Sequence, residues 1–431
     1  MKNSPPERAL REGASEARGV AKATADLDSA TAWRDAPASP QPAVDDGPMS
    51  LMRTFLLLLV ATAVWIPSVH FVFRPGAPRE LAPALAARQR VLALRDDNAG
   101  QDVLRANNPE WDLMVRTFTV LSFANLALKE PDRKAEHLAV IDAVLDRTLR
   151  DEQKGLDTFL LPYVHHDVFR DASGRSLFVD GEVALMLAAR QLVAPREDLA
   201  PLLRERIDTL VRQLERAPLL AAESYPDEAW TFCNTVALAA LRLSDAVDGR
   251  DHSALRRRWV QSAREHLIDR RTGLLVSSFT YEGVVRDGPE GSSLWLSTHM
   301  LQVVDPAFAR EQYLRARSEL VGQALGFAWA GEWPASTPQA VDIDSGPTIP
   351  LVNANAGSSG LALVGAAAFD DEPLLEALVT SLRFAAFPVT DGTGLRFAAG
   401  NQLADAVLLY ALVEGPLWER AMEPRTMEAR R

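Results

Sequence analysis

The sequence predicts an all-α protein: an (α/α)6 toroid of helical hairpins with a small β-hairpin, preceded by one transmembrane helix and a disordered N-terminal tail. Three observations carry this reading. The run from Thr54 to Phe73 contains no Asp, Glu, Lys or Arg. Beyond it, apolar residues recur at i, i+3, i+4 and i+7, with almost no period-2 alternation. Along that stretch, helices apolar all round alternate with helices that carry a single apolar stripe, the marks of inner and outer positions.

The apolar run has the length needed to cross about 30 Å of hydrocarbon as a helix. A cleaved secretory signal and a buried core helix are the competing readings. Against the first, the small residues Ala84 to Ala86 lie well downstream of the run. Pro67 predicts a kink, and Trp65 and His70 suit the interfacial end. The expected organisation is a tail over residues 1–50, an anchor over 51–73, a toroid over 80–420 and a second tail over 421–431. The first 48 residues are poor in large apolar side chains. Met49 or Met52 followed by Arg53 would also make a compact start, so that segment reads equally as an upstream extension. Sidedness is contested: Arg74, Arg79, Arg88 and Arg90 after the span favour a cytoplasmic C-terminus, whereas a Met-Arg-led anchor favours export. The balance falls toward an extracytoplasmic domain, with the lipid bilayer as one partner.

Hydrophobic residues at 47% and charged residues at 24% supply a large core. A net charge of -12, with Arg256-Arg257-Arg258 the one short basic run, argues against nucleic acid as a partner. Cys233 stands alone, which excludes an intramolecular disulfide and a cysteine-based zinc cluster.

Six apolar segments begin at Trp111, Ser176, Glu228, Ser292, Ser358 and Asn401. Five charged amphipathic segments begin at Ala135, Glu197, Ser253, Pro306 and Asp371, and the helix from Leu81 supplies a sixth outer partner that would close the ring. An open solenoid of helix pairs is the alternative. The stretch from Gly273 to Gly291 reads as a β-hairpin turning at Glu282-Gly283.

Asp, Asn, Gly and Pro gather in the loops that lead into inner helices, which places a site at one mouth of the toroid. Asp227 and Glu228 stand at such an entry, where an Asp also serves as an N-cap. Asp342 and Asp344 precede a Gly-Pro and serve either as a second carboxylate or as turn formers. Two carboxylates across a mouth are what general acid/base chemistry uses. Cys233, near the start of an inner helix, is a candidate acid, base or nucleophile, with a small buried hydrophobe as the alternative. Tyr225, Trp230, Asn234, His299 and Asn355 are candidate substrate contacts, although His299, Trp230, Trp295, Trp329 and Trp333 fit core packing as well. His165 and His166 are adjacent and lack metal-ligand spacing, so no metal is expected.

The run Ser224-Tyr225-Pro226-Asp227-Glu228-Ala229-Trp230-Thr231-Phe232-Cys233-Asn234, with Asp344-Ser345-Gly346-Pro347 and the paired helices, resembles the linalool dehydratase/isomerase-type (α/α)6 proteins. The resemblance implies cofactor-free dehydration or hydration of a small allylic alcohol by carboxylate, tyrosine and cysteine side chains. Carried over, it puts Pro226, Asp227, Cys233 and Asn234 at the pocket. Where that pattern has a second cysteine before Pro-Asp, this chain has Ser224. The architecture is shared with six-hairpin glycosidases, so a carbohydrate-active hydrolase or lyase and a non-catalytic helical scaffold remain as alternatives.

Overall fold

The computed structural model describes residues 48–95, 99–155, 158–337 and 345–423. They fall into two compact units, one ending at Thr62 and one beginning at Ala63. The expected tails lie almost wholly outside the described residues. Helix α1 (Pro48–Ser68) and the short α2 (His70–Phe73) are separated at Val69, two residues after Pro67. Together they contain the helical run Leu51–Phe73, long and apolar enough to cross a membrane.

The second unit continues with α3 (Ala82–Leu94), α4 (Ala99–Asn107), α5 (Pro109–Lys129), α6 (Lys134–Glu152), α7 (Leu177–Val193) and α8 (Leu199–Arg216). Strand β1 (Ala229–Trp230) leads into α9 (Thr231–Asp248) and α10 (Ser253–His266). Strands β2 (Ser278–Phe279) and β3 (Val285–Asp287) precede α11 (Gly291–Leu301) and α12 (Pro306–Leu320). The hairpins β4 (Val321–Ala324) with β5 (Phe327–Ala330), and β6 (Thr348–Ile349) with β7 (Ala354–Asn355), precede α13 (Ala356–Ala368) and α14 (Glu372–Ala386). Finally β8 (Pro388–Asp391) and β9 (Gly394–Phe397) lead into α15 (Gln402–Val413) and α16 (Pro416–Met422).

The ring is closed. Inner helices α5, α7, α9, α11, α13 and α15 each pack on the next, and α15 packs back on α5. The open solenoid is thereby set aside. Helix α3 packs on α15 and α6, completing the outer layer as the segment from Leu81 predicts. Pattern explains the two layers. Outer α8 buries Leu199, Leu203, Ile207, Leu210 and Leu214, one stripe at helical spacing, whereas nearly every residue of α7 is buried.

Every described strand lies in a connection from an outer to an inner helix. The β2–β3 hairpin is the one that the sequence predicts; β1 adds to it as an antiparallel edge. The other three hairpins have strands of two to four residues, too short for an alternating pattern to register. At the C-terminal ends of the inner helices, α16 packs on α5, α7 and α9. Its Leu417 N donates to Asn125 Oδ1 at 2.9 Å, so this helix plugs the end opposite the mouth.

Candidate active site

The mouth is built on a rigid segment before α9. Tyr225-Pro226-Asp227-Glu228 is a β-turn closed by Glu228 N on Tyr225 O at 2.9 Å. Asp227 at its third position has φ +54°, the left-handed value that a type II turn demands, with Pro226 before it. Asp227 is therefore a turn residue and not a cap; Trp230 holds the N-cap position of α9, with no side-chain cap bond. Glu223 fastens the turn from beneath. Its carboxylate accepts Asp227 N at 2.7 Å, Arg170 N at 2.9 Å and Asp171 N at 3.0 Å. Asn234 ties the same segment to Ala222, accepting Ala222 N at 2.9 Å and donating to Trp230 O at 2.9 Å. Its polar atoms are committed to the backbone.

On this platform Glu228 collects donors. The Trp230 indole N–H and the Tyr163 hydroxyl, the latter at 3.3 Å, donate to Oε1, and Arg286 of β3 lies 3.8 Å from Oε2. Arg286 and Arg170 each stand 3.4 Å from Asp227 Oδ2, and Tyr281 N donates to Oδ1 at 3.2 Å. Tyr163 stacks on Tyr225 with ring centroids 4.5 Å apart. The Tyr225 hydroxyl donates to Glu110 Oε1 at 2.6 Å and accepts Leu161 N at 2.8 Å. Burial, followed by the neighbouring Glu228 and Glu110 carboxylates, pushes the Tyr163 phenol up; burial and Glu110 do the same for Tyr225. Both rings keep their protons at neutral pH.

Beneath lies Cys233, buried in the first turn of α9 and hydrogen-bonded to the Ser224 side chain. A helix N-terminus alone would favour a thiolate. Here burial wins, and the fields of Glu110, Glu182 and Glu228 add to it, so the thiol is held well above its ordinary value. Glu182, reaching in from α7, is also buried; loss of solvation lifts its carboxyl to about 7, with a hydrogen bond to Thr117 pulling the other way. One mouth thus holds Glu228, part-buried and wrapped in donors, and Glu182, whose carboxyl burial lifts to about 7. Two carboxyl groups in different surroundings are what acid/base chemistry uses.

Tyr225, Asp227, Glu228, Trp230, Cys233 and Asn234 are therefore gathered in one place. Asp344, the second expected carboxylate, and Asp342 lie outside the described residues. Asn355 is the N-cap of α13: Oδ1 accepts Ser358 N at 2.8 Å, and Nδ2 donates to Ser345 Oγ and Thr348 Oγ1, each at 3.0 Å. These bonds shape the 345–355 loop and leave little for a substrate. His299 lies near the C-terminal end of α11, at the plugged end. Its Nε2 accepts the Trp418 N–H at 3.1 Å and sits 2.6 Å from Tyr410 Oη, and burial lowers it to about 3. It is a neutral core histidine. Trp295 is wholly buried against Ser358, and His165 and His166 are exposed on a 3-10 turn. Among the described residues no group of three or more His, Cys, Asp or Glu is arranged to hold a metal ion. Sequence reasoning missed Glu110, Glu182 and Arg286. For Glu182 a signal existed, since it and Asp180 are the two acids of an inner helix whose other residues, Arg190 and Gln191 apart, are apolar.

Residues 203–403 match the linalool dehydratase/isomerase family. The linalool dehydratase/isomerase-like segment contains the whole turn, Cys233 and Arg286; Glu110, Tyr163 and Glu182 come from the helix pairs before it. The chain is also similar to solved toroids. One is an inactive α-1,6-mannanase variant from Salegentibacter in complex with α-1,6-mannotetrose, at 9% identity over 78% of this chain and 99% of that one, TM-score 0.47. Another is cellobiose 2-epimerase from Bacillus thermoamylovorans, at 12% identity over 70% and 86%, TM-score 0.44.

Proposed function

We propose that this chain is a membrane-anchored enzyme that uses acid/base side chains, without a cofactor, to dehydrate or isomerise a small or lipid-like alcohol. The observation that carries this reading is that Glu228, set among donors, and Glu182, a buried carboxyl lifted to about 7, both stand near enough to Cys233 for their charges to raise its thiol. Loss of water from an allylic alcohol needs a proton delivered to the departing hydroxyl and a proton taken from a carbon conjugated with it. Glu182 is the donor of the first and Glu228 the acceptor of the second, and the Tyr163 hydroxyl beside Glu228 orients the substrate oxygen. The match of residues 203–403 to linalool dehydratase/isomerase supports the reaction class, and the apolar run Leu51–Phe73 supports the anchor.

Incubating the full-length chain with linalool and other small allylic alcohols, followed by gas chromatography, tests this. The expected result is an alkene or a rearranged alcohol, reduced about 100-fold or more in Glu228→Gln, the usual scale for losing a general base. Undiminished conversion by Glu228→Gln removes that residue from the reaction. One observation favours a second reading. Two consecutive carboxylates, Asp227 and Glu228, share the rim with two arginines and a half-buried Trp230, an arrangement that also suits a sugar ring. Cleavage of mannooligosaccharides with no turnover of allylic alcohols would decide for it.

A further inference from the structure

The sector of the toroid formed by α13, α14 and the hairpins before α13 carries an apolar surface that water does not explain. The turn between β6 and β7 is Ile349-Pro350-Leu351-Val352, with Val352 N on Ile349 O at 3.4 Å. Solvated turns favour Gly, Asn, Asp and Ser. Here Leu351 is 97% exposed, with Ile349 and Val352 beside it. Trp329 of β5 joins this turn to its neighbour by donating to Val352 O at 2.7 Å. At the other end of the β4–β5 hairpin Leu325 is exposed, and Phe384 and Phe387 are exposed at the end of α14.

Charge agrees with exposure. Ser345 to Phe369 and Val321 to Gly331 contain no Asp, Glu, Lys or Arg, and Ala377 to Thr390 contains Arg383 alone, in a chain of net charge -12. The acids at the start of α14 lie outside these windows, and Glu372, Glu376 and Asp371 are each engaged, by Arg79, Arg74 and the Tyr313 hydroxyl, which limits the repulsion that anionic headgroups exert on an acidic surface. The same sector receives the end of the apolar run. The His70 ring lies so close to Gly326 that a Cβ there would meet it, His70 meets Phe327 edge-on at 6.3 Å, and Phe73 meets Phe384 at 5.1 Å.

We infer that this sector is a second membrane contact: the Ile349–Val352 turn, Leu325 and the exposed phenylalanines of α14 insert into the interfacial layer of the bilayer that holds the anchor. The occupant is lipid, and the inference rests on the reading of Leu51–Phe73 as a span. Because the β6–β7 turn leads directly into inner helix α13, the inserted edge belongs to the mouth end of the ring.

The test uses the full-length chain in phosphatidylcholine/phosphatidylglycerol vesicles, spin-labelled at one introduced cysteine, with the native chain and its buried Cys233 as blank. Three variants are compared for collision with oxygen and with a water-soluble nickel complex: Leu351→Cys, Leu57→Cys in the apolar run, and Leu202→Cys on outer helix α8. The expected result is an oxygen-to-nickel ratio at Leu351 that resembles Leu57 and exceeds Leu202. A lipid-like Leu57 with a water-like Leu351 overturns the second contact and leaves the anchor standing. An aqueous Leu57 removes the anchor and this proposal with it. A Leu351 label shielded from both reagents means that a protein covers the turn, which also overturns it.

Discussion

At the scale of single residues the site is a contest between local and tertiary electrostatics, and Cys233 shows which prevails. Its place in the first turn of α9 offers a stabilisation of up to about 2 kcal/mol to an anion. Burial, with Glu110, Glu182 and Glu228 nearby, opposes this and holds the thiol protonated. A thiol of this kind donates a hydrogen bond or a proton and does not attack. Native protein at pH 8 should therefore leave Ellman's reagent unreacted, and one thiol per chain should appear on unfolding in guanidinium. Rapid labelling of the native state would show that the thiolate is accessible after all. Asp227 makes a related point. From sequence it reads as a cap or as a catalytic acid, and its actual constraint, a positive φ in a turn, is set by Pro226 and by Glu223 beneath it.

At the scale of elements, the start of the ring depends on a buried charge network. Arg116 on α5 donates to Asp112 Oδ1 at 3.0 Å and to Asp151 Oδ2 of α6 at 2.7 Å; Arg105 of α4 donates to Asp112 Oδ2 at 2.6 Å. Asp151 is held well below the usual carboxylate range by Lys154, Arg116 and Arg105, against the cost of burial. Replacing Arg116 with Met removes the network's one fully buried cation and leaves Asp112 to Arg105 and Asp151 to Arg105 and Lys154, so the loss should approach but not exceed the roughly 3–5 kcal/mol of breaking a buried pair outright. Arg105→Met, at a partly exposed position, should cost less. Denaturant titration of the two variants checks the order, and equal stabilities would mean that the network is not what fastens α4 and α6 to α5. These elements were legible because period and burial coincide: α6, α8 and α12 begin within two residues of where their stripes begin. The hairpins were not, since strands of two to four residues carry no period. Half of the site was legible for the same local reason. Tyr225, Asp227, Glu228, Trp230 and Cys233 share one polar segment, whereas Glu110 meets Tyr225 across 115 positions of sequence and becomes visible only when the ring closes.

At the scale of the whole molecule, the buried acids make stability depend on pH in a definite direction. Burial lifts Glu182 and Glu414 from 4.5 to about 7 and Asp405 from 3.8 to about 6. A carboxyl with a raised folded value binds its proton more tightly when folded. Its stabilisation is complete below the unfolded value and is lost as pH rises through the folded one, here between about 4.5 and 7 for Glu182. His299 works against this. Buried and neutral with its value near 3, it favours folding increasingly as pH rises from about 3 to 6.5. The wild-type profile is therefore a difference of opposing terms, and the informative quantity is a variant compared with wild type at each pH. Glu182→Gln keeps the size of the side chain and its capacity to bond Thr117, and it removes the titration. Relative to wild type, it should gain roughly 3 kcal/mol between pH 4.5 and 7, at about 1.4 kcal/mol per unit of displacement, and nothing further above pH 7. Thermal unfolding of detergent-solubilised full-length protein at pH 4.5, 6, 7 and 8 reads this directly. If the difference between the two proteins is flat across that range, Glu182 does not carry a proton near neutrality, and the division of labour between a protonated Glu182 and an accepting Glu228 fails with it.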